Sequence, residues 1–182
     1  MDSILVVCYS YTGVTRRAAQ LLASHHGWPL GEIRDVHRRA GAAGYLRSVL
    51  DSLLRRRPEI AYEGPDPGDF RTVVLAAPIW MYRLAGPMRS FVTGYHADLR
   101  RVAVLCTMGG AGATNAFTEI GHLLGHAPIR CAAFTQAAVE NGSCTNDLLA
   151  FGDALQPGST ASQAAPPGAW TSPPTEPLPE QP

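Results

Sequence analysis

Several short runs of the chain are apolar at successive positions, not only at every second one, apart from a polar first residue in three of them. They cover residues 4–8, 72–77, 101–106 and 130–134. A strand with one wet face alternates apolar and polar side chains, whereas a strand of a parallel sheet is covered by helices on both faces. The runs therefore predict a parallel sheet enclosed between two layers of helices.

Helical periodicity separates these runs. Val14, Ala18, Leu21 and Leu22 form one apolar stripe at positions i, i+4, i+7 and i+8, and Gly27 ends this helix. Further stripes of this kind are formed by Tyr45, Leu46, Val49, Leu50, Leu53 and Leu54, by Met88, Phe91, Val92 and Tyr95, and by Phe117, Ile120, Leu123 and Leu124. The alternation of strands and helices predicts a doubly wound α/β domain with right-handed crossovers.

Less regular features complete the predicted order of elements. Pro87 suits the first position of a helix, and Thr114 is the expected N-cap of the helix that follows the strand at 101–106. Residues 30–36 have mixed polarity and predict an edge strand. Residues 146–155 predict a short last helix.

In such a fold, ligands bind outside the carboxyl ends of the strands, near the switch in strand order. The first loop there is hydroxyl-rich and opens a helix: Ser10, Tyr11, Thr12, Gly13, Val14 and Thr15. Free backbone N–H groups and hydroxyls at a helix start bind phosphate. The loop contains no lysine or arginine, which favours a monophosphate ester over a nucleoside triphosphate.

The second and third loops suit a planar ring. The second contains Pro78, Ile79, Trp80, Met81 and Tyr82, whose aromatic faces could stack on such a ring. The third contains Thr107, Met108, Gly109 and Gly110. Its glycines let backbone amides approach a ligand edge.

Together the three loops resemble those of the flavodoxin family. The pattern [ST]-x-T-G-x-T after the first strand resembles the family's phosphate loop. The segments APIWMYRLAGPMRSFV and LCTMGGAG resemble its P-x-W-x and T-x-G-G elements. The resemblance spans about residues 3–155. It implies a three-layer flavodoxin-like fold with a five-stranded parallel sheet of order 2-1-3-4-5, and FMN at the switch point.

The resemblance also assigns roles to single residues. It implies that the phosphate is held by Ser10, Thr12, Gly13, Val14 and Thr15, with Tyr11 at the variable position. It implies that the ring is bordered on one side by Pro78, Ile79, Trp80 and Met81, and on the other by Thr107, Gly109 and Gly110. The predicted site also includes Tyr82 and Met108 of the same loops.

Two departures from the family bear on function. Flavodoxins that shuttle electrons are typically acidic and often carry a tyrosine in the last ring loop. This chain has 15 basic and 15 acidic residues, and its last loop has only Met108 and glycines. The resemblance therefore favours an FMN-dependent oxidoreductase that passes electrons from NADH or NADPH to a quinone or another small acceptor. The alternatives are an electron carrier for a protein partner, and a site without flavin.

No acid–base pair for catalysis follows from the sequence. Arg83 and His122 are candidate substrate contacts, with a solvated loop charge and an exposed helix face as the respective alternatives. Cys8, Cys106 and Cys131 lie in predicted strands without CxxC spacing, which indicates packing. His25 and His26 end a helix, and no further metal-type cluster accompanies them in sequence, so no metal site is expected.

Composition sets the remaining expectations. The resemblance implies an FMN-binding domain over residues 1–155, and the Pro-, Ala- and Ser-rich residues 156–182 predict a disordered tail. Residues 55–57 are arginines at a predicted helix end in a neutral chain, so nucleic acid is not an expected partner. No apolar run is long enough to cross a bilayer and no signal peptide is recognised, which predicts a cytoplasmic protein without a membrane partner.

Overall fold

The computed structural model describes residues 3–36 and 57–156. Its strands are β1 Ile4–Tyr9, β2 Leu30–Asp35, β3 Ile60–Glu63, β4 Thr72–Trp80, β5 Arg83–Leu84, β6 Val102–Met108 and β7 Arg130–Thr135. Its helices are α1 Val14–His26, α2 Gly86–Tyr95, α3 Ala113–Leu124, α4 Gln136–Asn141 and α5 Thr145–Asp153. The predicted helix over residues 45–54 and residues 157–182 of the predicted tail lie outside the described residues.

The sheet has the strand order β3-β2-β1-β4-β6-β7, with the short β5 paired to β4. Its parallel strands β2, β1, β4, β6 and β7 have the predicted order 2-1-3-4-5. The predicted fold class is thus confirmed. The sheet differs from the prediction in two added antiparallel strands, β3 beside β2 and β5 beside β4. Because β3 covers β2, the prediction of β2 as the edge was wrong.

The core consists of two apolar layers, one on each face of the sheet. Leu5 and Val7 of β1 face α2 and α3, and Val6 and Cys8 face α1 and α5. Burial of a large apolar side chain contributes about 1.5–3 kcal/mol, so both faces are strongly fixed. Among the strands of the described residues, β7 alone is half-buried throughout, because it is the last strand of the sheet.

Helix boundaries and faces depart from the prediction at three places. Leu21 is exposed, and Thr15, Ala19 and Ala23 join Ala18 and Leu22 on the buried face of α1. The buried stripe is therefore shifted towards the small residues, which let α1 lie close to the sheet.

The other differences concern caps and the last helix. Gly112 and not Thr114 is the N-cap of α3, and Thr114 is exposed within the helix. The chain after β7 forms two short helices where one was predicted. Thr135 caps the first of them, since its hydroxyl accepts the Ala138 N–H at 3.2 Å. None of the helices in residues 3–36 and 57–156 is long and apolar enough to cross a membrane.

Candidate functional site

The three predicted loops follow β1, β4 and β6, which are neighbours in the sheet. The chain leaves β1 towards β2 on one side and later returns to β4 on the other, so this is the switch in strand order. Two loops are shorter than predicted. Pro78, Ile79 and Trp80 are the last residues of β4, and Thr107 and Met108 are the last residues of β6.

The first loop leaves the start of α1 open to an anion. The Ser10 hydroxyl accepts the Gly13 N–H at 3.1 Å, which closes the turn before the helix. The Arg17 N–H bonds to the Gly13 carbonyl at 2.9 Å, so the amides of the preceding helical turn point out of the helix end. No side chain caps this end and no acidic residue lies in its first turn. The dipole of α1 therefore favours a negative ligand here.

The two predicted phosphate-binding threonines of this loop lie in different surroundings. Thr12 is exposed at the tip of the loop. Thr15 is buried, and its Oγ1 lies 2.7 Å from Oγ1 of Thr107 at the end of β6. In this pair one hydroxyl donates to the other, so a single O–H remains for another acceptor. Thr15 therefore links the first loop to the third, a contact that the sequence did not reveal.

Met81 and Tyr82 form the tip of a β-hairpin between β4 and β5. Ile79 pairs with Leu84 and Trp80 pairs with Arg83, which leaves a two-residue turn. Both tip residues have positive φ, 46° and 62°, and are exposed at 58% and 57%. Such turns normally carry Asn-Gly, because a side chain in this conformation costs about 1–2 kcal/mol. Backbone strain of this kind clusters at functional sites.

Trp80 belongs to the core. Its side chain is only 8% exposed, and the edges of Tyr9 and Tyr11 pack against it at centroid distances of 6.0 and 5.8 Å. The sequence analysis expected the face of this tryptophan at the ring, whereas its burial is explained by packing in the core. The aromatic side chain that this segment presents to solvent is Tyr82.

A buried ion pair fixes the base of the hairpin. Arg89 on α2 is 2% exposed, and its Nε donates to Oε1 of Glu119 on α3 at 2.6 Å. Arg89 also donates from Nη2 to the Leu84 carbonyl at 3.0 Å, and the Leu84 N–H donates to Glu119 Oε2 at 3.4 Å. The pair therefore ties β5 to both helices. Sequence analysis missed it; the available signal was an arginine between the apolar residues Met88 and Phe91.

The third loop lies against the hairpin and is otherwise open. Gly112 has a φ of 104°, and a Cβ there would lie 2.6 Å from the Tyr82 Cα. Glycine at this position thus lets the two loops touch. A Cβ on Gly109 or Gly110 would meet no atom within 4 Å. Above these two exposed glycines there is room for a ligand.

Of the two candidate substrate contacts, Arg83 lies near the three loops and His122 lies far from them. Arg83 is half-buried in β5 beside the tip of the hairpin. His122 is exposed in the last turn of α3, nine residues past the helix start, which at 1.5 Å per residue places it about 13 Å from the site. His122 is therefore no site residue.

Both cysteines near the strand ends are packing residues. Cys8 and Cys106 are buried on opposite faces of the sheet. Burial raises the pKa of the Cys8 thiol to about 12 and raises the pKa of Cys106 further. Both are therefore neutral thiols at pH 7, as the packing interpretation requires.

Similar proteins share this architecture. A flavoprotein from Lactobacillus acidophilus NCFM, solved in complex with FMN, superposes with a TM-score of 0.65 at 21% identity, over 79% of this chain and 99% of the other. A putative flavoprotein from Bacteroides eggerthii superposes with a TM-score of 0.62 at 22% identity, over 82% of this chain and 99% of the other. The apo-form of the Lactobacillus flavoprotein superposes with a TM-score of 0.58 at 18% identity, over 74% of this chain and 92% of the other.

Sequence comparison assigns the family. No curated protein shows a significant match to the chain. A family model described as flavodoxin matches residues 3–151, which is most of the sequence. The order of the parallel strands and the three loops at the switch point agree with this match. The chain belongs to the flavodoxin family.

Proposed function

We propose that the chain binds FMN, with the phosphate at the first loop and the isoalloxazine ring between the hairpin tip and the glycine loop. The observation that carries the proposal is the strained, exposed pair Met81 and Tyr82. This pair lies against the third loop, at the end of the sheet where α1 opens. The Lactobacillus flavoprotein with the same fold was solved with FMN, which supports this choice of ligand.

The chemistry of the first loop suits a single phosphate group. Its donors are backbone amides and the hydroxyls of Ser10 and Thr12, with no cation among them. Arg16 points to Glu32, where its Nε lies 2.9 Å from Oε1, so its charge is already paired. A neutral cradle of this type holds a phosphate monoester through hydrogen bonds to a charged acceptor, which are the stronger class. The loop therefore favours FMN over a dinucleotide.

The ring site has the parts of a substrate-accessible flavin pocket. Bound FMN would supply the hydride and electron transfer, and the protein would supply position and access. Tyr82 offers an aromatic face, and the exposed Gly109 and Gly110 leave space for a second planar molecule. Arg83 directly follows Tyr82 in the chain and is half-buried, so its guanidinium is a candidate contact for an anionic part of a substrate.

On this basis the proposed activity is FMN-dependent transfer of electrons from NADH or NADPH to a quinone or another small acceptor. The balanced charge of the chain supports it, because a carrier that relies on charge to find its partner gains rate from a strongly charged face. The second candidate is electron carriage to a protein. It is favoured by the exposed apolar tip of Met81 and Tyr82, which could dock on a partner surface.

Rapid mixing without oxygen tests the proposed activity. The FMN-loaded chain is mixed with NADH or NADPH, and bleaching of the flavin absorbance is followed before a quinone is added. Free FMN at equal concentration is the control. Reduction much faster than in the control, and reoxidation by the quinone, support the reductase. If neither nucleotide reduces the flavin, while a reductase protein reduces it at a rate that depends strongly on salt, the second candidate, electron carriage, is correct.

A further inference from the structure

A second group of ligating side chains lies far from the proposed flavin site. His25 and His26 are in the last turn of α1, and Asp153 is the last residue of α5. One ligand atom from each of the three lies within 4.8 Å of the other two. The helix is 13 residues long, so this cluster is about 18 Å from the first loop. The sequence placed the two histidines together but could not show that Asp153 joins them.

The ring of His26 is held in one orientation. Its side chain is 2% exposed and stacks on Trp28, with centroids 4.4 Å apart and planes 18° from parallel. The Nε2 edge lies against Gly152, where a Cβ would collide with the ring. A glycine at this position of α5 is thus required for the approach.

The other ring nitrogen of His26 faces the cluster. Nδ1 lies 3.0 Å from the side-chain amide of Gln156 and 4.0 Å from Oδ1 of Asp153. The Nε2 atom has no hydrogen-bond partner in the described residues. Because the Gln156 side-chain nitrogen donates to Nδ1, this atom carries the lone pair, which is the form of imidazole that binds a metal. A metal ion on Nδ1 would replace this hydrogen bond.

The electrostatic environment of the cluster favours a cation. The carboxyl ends of α1 and α5 meet here, and each contributes partial negative charge to which the Asp153 carboxylate adds.

We infer that His25, His26 and Asp153 form a binding site for a divalent transition metal ion of the zinc type. Two imidazoles and one carboxylate are a donor set that suits zinc and its neighbours better than magnesium or calcium. Tetrahedral zinc needs donor atoms about 3.3 Å apart, given bonds of about 2.0–2.1 Å. The exposed side chains of His25 and Asp153 can rotate to reach this spacing. A water molecule supplies the fourth position.

The bound ion would join the end of the first helix to the end of the last. Because it binds the folded chain and not separated helices, it stabilises the fold by mass action. This role is independent of flavin, since the cluster lies at the other end of α1, about 18 Å from the first loop.

Calorimetric titration of the tag-free, flavin-loaded full chain with Zn²⁺ tests the inference. We expect one Zn²⁺ per chain and a higher melting temperature with Zn²⁺ than with a chelator. The variant His25→Ala removes one exposed ligand without opening the core. Its dissociation constant should rise by at least the factor of about ten that loss of even an outer partner of a metal site costs. Asp153→Asn should weaken binding in the same direction.

The variant His122→Ala is the matched control, because it removes an exposed histidine from another helix. It should bind Zn²⁺ like the unchanged chain. Substitution of Co²⁺ should give the intense visible bands of a four-coordinate site in the unchanged chain and lose them in His25→Ala. Absence of stoichiometric Zn²⁺ binding, or equal affinity of His25→Ala and His122→Ala, would overturn the inference.

Discussion

Arg89 and Glu119 form a buried ion pair that encloses the peptide groups of Leu84 from both sides. The guanidinium binds the Leu84 carbonyl, the carboxylate binds its N–H, and the two charges meet at 2.6 Å. Leu84 ends the hairpin whose tip is Met81 and Tyr82. The pair therefore holds a strained turn against helices α2 and α3, next to the proposed ring site.

Replacement of Arg89 by methionine should lower the free energy of unfolding by about 3–5 kcal/mol. The physical reason is that Glu119 would keep its charge in a buried place without a partner. Urea denaturation measures the loss. The double variant with Glu119→Leu should recover part of it, because no buried charge is then left unpaired. A single-variant loss below about 1 kcal/mol would mean that the pair behaves like a surface salt bridge.

Two substitutions of Tyr82 should separate strain from binding. Tyr82→Gly removes both the ring and the cost of a side chain at positive φ, so it should stabilise the fold by about 1–2 kcal/mol. Tyr82→Ala removes the ring but keeps the Cβ, so it should give little of this gain. Thermal unfolding of the flavin-free chain measures both.

The same two variants should bind FMN with similarly reduced affinity, because both lack the aromatic face. Fluorescence titration with FMN checks this. Unchanged affinity in both variants would show that Tyr82 does not contact the ring. Loss of stability in Tyr82→Gly would show that the turn is not strained.

The sequence predicted the fold because its main signals are local. Continuous apolar runs predicted the strands that are buried on both faces. An apolar stripe and the glycine at position 27 predicted the first helix and its end. The positions of the loops then follow from the order of the strands. The first loop, for example, ends at Gly13, the N-cap of α1.

What the sequence did not predict depends on contacts between distant residues. Thr15 and Thr107 pair across 92 positions, and no local pattern distinguishes this from two hydroxyls that face a ligand. The sequence analysis assigned Trp80 to a loop, because the apolar run of the preceding strand ends at residue 77. Pairing with β5 extends β4 to Trp80. The short strand β3 was missed, because its four residues gain their pairing only from β2.

Alkaline pH should destabilise the protein through its buried thiols. The pKa of Cys8 is about 12 in the folded chain against 9.0 for a free thiol, because burial disfavours the thiolate. The stabilising contribution is complete below pH 9 and is lost as the pH rises towards 12. Each group of this kind costs up to about 1.4 kcal/mol per pH unit in that window.

Urea denaturation at pH 8 and at pH 10 measures this loss. Cys8→Ala should show a smaller difference between the two pH values than the unchanged chain. In the native chain at pH 8, Cys8 and Cys106 should resist alkylation until urea is added, because only an accessible thiolate reacts. Rapid native alkylation of either residue, mapped by mass spectrometry, would contradict the buried placement.

The two threonines of the first loop should affect flavin binding in different ways. The exposed Thr12 hydroxyl is free to reach a phosphate, so Thr12→Ala should weaken FMN binding by about 1.5–3 kcal/mol, the range for a hydrogen bond to a charged group. Riboflavin has no phosphate, and its affinity should not change. Flavin fluorescence titration measures both ligands.

Thr15→Ala removes a hydroxyl that also holds Thr107 at 2.7 Å. This variant should therefore weaken the binding of riboflavin as well as that of FMN, because the loop after β6, beside the proposed ring site, loses its link to α1. It should also lower the melting temperature of the protein. Thr118→Ala, at an exposed position of α3, is the control and should leave all three measurements unchanged. Equal affinity of the unchanged chain for FMN and riboflavin would refute a phosphate site at this loop.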